Sequence, residues 1–273
     1  MREIIFLLFF ILFLFFCASP PKDNQIRVVS LSPAVTEIIF ALNCEKYLVG
    51  NTIYCDFPEK AKEIYKVGDM INPSIERIAK LKPTIVFLTY PLQKNIDEKL
   101  KTLNIRTFNS SPKSLNEMFE EIIKIGEIFN KKERAEKLVE SLKKELDEIR
   151  KLKKRLKVYI EINTNPPITI GKNSFLNDLL ENIGVENIFA DKVTDYPIVK
   201  QEEIILKNPD YIIILHPKSK AKEIASRLGF EKVKAVRFGK IVDNLNPDYF
   251  LRNSPRIIEG AKILVNLLNN EEQ

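Results

Sequence analysis

The chain is poor in the residues that most enzyme sites and metal centres need. Its 273 residues include one histidine, His216, and no tryptophan. A lone histidine excludes the multi-histidine sites that hold zinc or manganese. Placed just after an apolar run, His216 reads as a structural or surface residue. Only eight glycines are present, and none forms a phosphate loop or a Gly-x-Gly-x-x-Gly fingerprint. No Gly-x-Ser-x-Gly elbow presents a serine nucleophile. Cys44 and Cys55 have no histidine beside them with which to build a nucleophile pair or a zinc site. They read either as a disulfide closing a loop of about ten residues or as two small buried residues at a helix end and a strand end. A strong charge of one sign is also missing. Lys+Arg is 43 against 37 Asp+Glu, a net +6, too mild and too dispersed for a nucleic-acid surface. The basic run at 150–157 reads as the solvated end of a helix, where cations suit the dipole. Carboxylates are spread so evenly that no catalytic pair stands out.

What is present is a globular composition, 45% apolar and 29% charged, on a chain long enough for two lobes. The first 16 residues differ. Met1, Arg2 and Glu3 precede the apolar run 4–16, which is short of the roughly 20 residues a spanning helix needs and reads as a signal peptide. Residues 17–25, polar and Pro-rich, read as a tether. Cys17 sits at the junction, where bacterial lipoproteins carry a lipidated cysteine, although Phe16 stands where a small residue is usual. Cleavage after Ala18 or Ser19 and an uncleaved anchor are the other readings. All three export the chain.

Beyond residue 26, apolar β-branched runs alternate with helical periodicities, the pattern of an α/β fold with a mainly parallel sheet. The alternation predicts an N-terminal lobe at 26–113 and a C-terminal lobe at 157–273. Between them, 114–156 shows only helical spacing, at Met118, Ile122, Ile125, Phe129 and then Leu138, Leu142, Leu146, Ile149. This predicts one helix to about Asn130 and a long one to about Lys154. The Ser-Pro pair Ser254–Pro255 is expected to open the last helix as Ser32–Pro33 opens the first.

One unit occurs twice. When Pro83 is laid over Pro209, Glu76 falls on Glu202 and Ile78 on Ile204. An apolar run then follows each proline, Ile85–Leu88 in one and Tyr211–Ile214 in the other.

Several blocks, in order, carry a family resemblance: RVVSLSPAVTEIIFALN, YCDFPEKAKEIYKVGDMINPSIERIAKLKPTIVFL, NPPITIGKNSFLNDLLENIGVENIFAD, YPIVKQEEIILKNPDYIII and DYFLRNSPRIIEGAKIL. The sequence resembles the cobalamin-binding proteins of ABC importers, from about Arg27 to the C-terminal helix. The resemblance implies the class III periplasmic-binding-protein fold, two Rossmann-like lobes joined by one long α-helix, with no catalytic cofactor. It implies a corrinoid in the cleft between lobes, contacted by Tyr54, Tyr196 and Asp248. Met70 and Thr89 stand where cobalamin binders carry tryptophan, with Tyr90 one place along. It also implies that Glu76 and Glu202, one per lobe, dock on arginines of a two-fold permease dimer. Without that partner, each glutamate would simply favour the first turn of its helix. The loop 163–171 is expected to face the cleft from the second lobe. Alternatives are a ferric-siderophore or haem receptor of the same superfamily, with arginines and no aromatic floor, and a cell-surface enzyme on the same scaffold, requiring a metal or nucleophile cluster. A structural or adhesion module would lack an aromatic cleft.

Overall fold

A computed structural model describes residues 26–149, 152, 154–218 and 220–270. The signal segment 1–16, the tether 17–25 and Cys17 lie outside the described residues. Two four-stranded sheets, with every neighbouring pair parallel, form the two lobes. The first lobe runs β1 (Val28–Ser30), α1 (Pro33–Ala41), β2 (Leu48–Asn51), α2 (Ile75–Lys80), β3 (Ile85–Thr89), α3 (Lys94–Thr102) and β4 (Thr107–Ser110). Helices α4 (Leu115–Ile128) and α5 (Lys132–Glu148) follow. The second lobe contains β5 (Lys157–Glu161), β6 (Asn163–Thr164), β7 (Pro167–Ile168), α6 (Phe175–Asn182), β8 (Glu186–Asn187), α7 (Gln201–Lys207) and β9 (Tyr211–Ile214). It closes with α8 (Ala221–Ala225), α9 (Lys234–Arg237), β10 (Ile241–Val242), α10 (Asp248–Leu251) and α11 (Ile257–Asn270).

The strand orders make the internal repeat explicit. One sheet reads β2-β1-β3-β4; the other, read from its far edge, is β8-β5-β9-β10. Thus β3 and β9 occupy equivalent places, and so do α2 and α7 before them. Each of these helices ends at a residue with left-handed backbone, Lys82 (φ 48) or Asn208 (φ 45), followed by the proline that cannot continue a helix. Ser74 caps α2: its side chain accepts from the Arg77 N–H. Asn72 and Pro73 lie before the cap.

Alternation along the strands sends each sheet's two faces into different cores. Val29, Val86 and Leu88 bury outward in the first lobe with Ile78 and Leu100. Tyr159, Ile212 and Ile214 do so in the second lobe with Ile204 and Phe230. The opposite faces share one central core. Val28, Ile85 and Phe87 from one sheet and Val158, Ile160 and Ile213 from the other meet side chains of α1, α4, α5, α6 and α11 there. Gly126 lets α4 and α5 close on each other: an added Cβ would lie 2.5 Å from the Ala135 Cβ.

The long helix stops six residues earlier than its periodicity predicts. Ile149 is extended (ψ 118), and its side chain is buried in the central core. The following apolar residues, Leu152 and Leu156, also pack on that core, drawing the chain toward β5. Of the basic run 150–157, Arg150, Lys151 and Lys153 fall outside the described residues, and Lys154 and Arg155 are exposed. The hairpin β6–β7, read from the sequence as a loop, pairs antiparallel with Asn163 opposite Ile168. Both Cys44 and Cys55 are free and buried. Cys44 follows α1, whereas Cys55 lies in the loop after β2 and not at the strand end.

No glycine or proline interrupts α5, and the shared core ties both sheets to it. Ligand binding should therefore rock the lobes only slightly. Small-angle scattering is expected to give a change in radius of gyration below about 1 Å on saturation; a large contraction would contradict this rigidity.

Candidate functional site: the cleft between the lobes

Loops at the carboxyl ends of the strands, the usual ligand position in open parallel sheets, enclose a cleft of about 610 Å³ between the lobes. Tyr54, Met70, Thr89, Tyr90, Pro112 and Lys113 contribute from the first lobe. Ser174, Phe175, Asp195, Tyr196, Asp248 and Arg252 contribute from the second. Tyr54, Met70, Tyr90, Tyr196 and Asp248, far apart in sequence, thus line one cavity.

Tyr54 and Tyr196 are 52% and 54% exposed, so two flat aromatic faces stand open to a ligand. Met70 is fastened by Gln93, a buried residue that sequence reasoning missed. The Gln93 side-chain amide donates to the Met70 carbonyl at 2.7 Å and accepts from the Thr89 N–H at 2.8 Å. Ser32 and Ser174 each cap the helix after the first strand of their sheet, accepting from Val35 N–H and Asn177 N–H, and both line the cleft. The structural counterpart of Ser32 is therefore Ser174. Ser254 does not repeat it: its hydroxyl donates to Glu37 at 2.6 Å, and α11 begins only at Ile257.

Segment 195–199, which carries Tyr196, is braced by the β6–β7 hairpin. The Val199 N–H donates to the Pro167 carbonyl at 3.0 Å, and the Thr169 N–H to the Pro197 carbonyl at 3.1 Å. Residues 163–168 are not among those lining the cleft; the hairpin acts through the segment it supports. Its base is fixed by Glu161, which accepts both terminal nitrogens of Arg227 (2.6 and 2.8 Å), the Tyr159 hydroxyl and His216 Nε2. The lone histidine is thus a half-buried structural residue, its ring enclosed beside Glu161.

The cleft's cationic anchor, Arg252, was also missed. Its guanidinium donates to Asp56 at 2.8 Å, Glu37 at 3.0 Å and the Tyr54 carbonyl at 3.3 Å, all in the first lobe. It also pairs with Asp248 in the second lobe at 2.8 Å. One side chain therefore orients two cleft residues across the lobe boundary. Burial pushes the Asp248 carboxyl above its ordinary value, with Arg252 pulling the other way. For Asp56, the hydrogen bond and charge of Arg252 outweigh burial and hold the carboxyl below the ordinary value. Glu37 is 4% exposed and also takes both the Nε, at 2.8 Å, and an Nη of Arg256, whose guanidinium stacks 3.8 Å from the Phe57 ring centroid.

Glu76 and Glu202 each occupy the second position of their helices, α2 and α7, away from the cleft lining. Glu76 is 76% exposed and pairs with Lys80 at 2.7 Å. Glu202 is exposed, and the residue equivalent to Lys80 in its unit is Leu206, 84% exposed.

Residues 28–245 match the family model described as Periplasmic binding protein. The ABC transporter substrate-binding lipoprotein YvrC of Bacillus subtilis (strain 168) is 33% identical over 255 residues, 89% of this chain and 80% of that protein. A vitamin B12-binding protein of Salmonella typhi is 32% identical over 250 residues, 89% of this chain and 90% of that protein. A possible iron-binding periplasmic solute-binding protein of Staphylococcus epidermidis, of known structure, is 30% identical. It superposes with a TM-score of 0.77 over 89% of this chain and 98% of that one. A two-lobed parallel α/β fold closing on an aromatic cleft, with these relatives along nearly its whole length, places the chain in the periplasmic binding protein family, as the extracytoplasmic substrate-binding protein of an ABC transporter and not an enzyme.

Proposed function

We propose that the cleft captures cobalamin or a related corrinoid for delivery to the importer. The observation that carries this reading is the cleft wall itself. It is mostly apolar, with open tyrosine faces and Met70, and its charged lining groups are paired, Arg252 with Asp248 and Lys113 with Asp195. Flat rings suit a corrin and its nucleotide base. A haem or catecholate siderophore brings several anionic oxygens and would call for several free arginines. The vitamin B12-binding relatives support the corrinoid over these alternatives. Purified protein incubated with cobalamin, haem or a ferric siderophore should retain only the corrinoid through gel filtration, read by its visible absorbance. Retention of haem or siderophore alone would replace this reading with the other receptor class.

Two further parts belong to the proposal. Glu76 and Glu202 dock on the two-fold permease, one carboxylate per lobe, with arginine as the natural bidentate partner. Cys17, if lipidated, anchors the protein at the outer face of the membrane.

If Tyr54 and Tyr196 flank the corrin, Tyr196→Ala should weaken binding by about 1–3 kcal/mol, the scale of a lost buried aromatic contact. Isothermal calorimetry measures it. An unchanged affinity would remove Tyr196 from the contact set.

A further inference from the structure

Resting on the corrinoid reading, we propose that Lys113 is a specificity-determining residue that recognises a single anionic group on the ligand, displacing Asp195. Among the described residues lining the cleft, the cations are Lys113 and Arg252. They are not equally available. Arg252 is 12% exposed and spends its terminal nitrogens on Glu37, Asp56, Asp248 and the Tyr54 carbonyl. Turning it toward a ligand would strip Glu37 and Asp56 of a buried partner. Lys113 is 45% exposed, and its ammonium has one partner, Asp195, itself 34% exposed. A pair this open to water holds weakly, and an ammonium carries three rotatable donors. An incoming anion can therefore take the place of Asp195 at little cost.

The backbone that carries Lys113 is pinned by hydrogen bonds, so the base of its side chain is placed before the ligand arrives. The Lys113 N–H donates to Glu117 Oε2 at 2.8 Å, and Ser114 caps α4 by accepting from the Glu117 N–H at 3.2 Å. The preceding carbonyl, Pro112, accepts from the Asn253 side chain of the other lobe at 3.1 Å. Asp195 is held as firmly from the opposite wall. Its carbonyl accepts from the Gly171 N–H at 2.8 Å, and a Cβ at Gly171 would lie 2.2 Å from the Thr194 carbonyl oxygen, so only glycine lets the segment sit so close. The two walls thus present an exchangeable ion pair in a mostly apolar cavity whose other charged pair, Arg252 with Asp248, is committed.

A corrinoid that keeps its nucleotide loop carries one phosphodiester anion. Cobinamide has the same ring and amides but no loop and no phosphodiester. Lys113 should tell them apart. The test is calorimetry of the wild-type protein, Lys113→Gln and Lys113→Arg with cyanocobalamin and with dicyanocobinamide, alongside thermal melting. The expected result is a loss of about ten- to hundredfold in cobalamin affinity for Lys113→Gln, the scale of a charge-assisted hydrogen bond. Cobinamide affinity should stay within about threefold of wild type, and Lys113→Arg should restore most of the cobalamin affinity. Equal losses for both ligands, or none for either, would overturn the assignment and leave the pair as a latch between the lobes. Wild-type protein that binds neither corrinoid overturns the corrinoid reading and this proposal together, and the wild-type titration alone reveals that case.

Discussion

Glu37→Ala should destabilise the protein by about 3–5 kcal/mol, the penalty for removing one partner of a buried ion pair. Glu37 lies on α1 in the first lobe, and the groups it accepts, Arg252, Ser254 and Arg256, come from the end of the second. Without it, Arg252 keeps Asp56 and Asp248. Arg256 keeps the faces of Phe57 and Tyr249 and the more distant charge of Asp248, but loses its ion-pair partner while half-buried. For a chain of this size the loss corresponds to a fall in melting temperature of roughly 6–20 °C. Far-UV circular dichroism during chemical denaturation measures it, which suits a chain without tryptophan. A loss below about 1 kcal/mol would mean that water reaches the cluster and that it is no stronger than a surface pair.

Replacing both Glu76 and Glu202 by glutamine should nearly abolish transport while leaving ligand affinity and melting unchanged. Glutamine keeps the size and helix fit of glutamate, so the change removes only the charge-assisted contact to permease arginines. The two single variants should differ. Glu76 already shares its charge with Lys80, an exposed pair that a permease arginine must replace. Glu202 has an exposed leucine in the equivalent place. Glu202→Gln should therefore cost more uptake than Glu76→Gln. Uptake and stimulation of the importer's ATPase in membranes, read beside the melting curves, test this. A double variant that transports like the parent, or that melts far lower, would return both residues to the role of helix-start acids.

The repeated unit could be read from sequence because its parts are local: a glutamate, an apolar periodicity, a proline and a strand lie within sixteen residues of one another at each site, and each is set by backbone geometry. Tyr54, Met70, Tyr90, Tyr196 and Asp248 could be named because family motifs surround them. Short-range patterning fails where an element is made by its neighbours. Strands β6, β7 and β8 have two residues each and exist only through their pairing. Ser254 looked like a helix cap because Ser-Pro is a common helix start, yet a buried carboxylate 217 residues away claims its hydroxyl. The Arg252–Glu37 and Lys113–Asp195 pairs span 215 and 82 positions. No periodicity links such residues, and each alone resembles any other surface charge. Ile149 continued the helical spacing of Leu142 and Leu146, but the central core could take its side chain only after the chain had turned.

The core that joins the sheets also sets the order in which the chain can fold. The inner face of the first sheet, Val28, Ile85 and Phe87, is closed in the same cluster as Ile257, Ile258, Ala261, Leu264 and Leu268 of α11. Those residues come from opposite ends of the polypeptide. A first lobe emerging alone would hold its outer core and the cover that α1 and α4 give its inner face, with Phe87 stacked near Phe129, but the shared core would lack the side chains of α11. Loop closure over more than 200 residues must precede the final burial, which makes for high contact order and slow, late consolidation. The molecule is two-lobed in its topology and in its cleft, yet it gains its native packing as one body, once the last helix is in place.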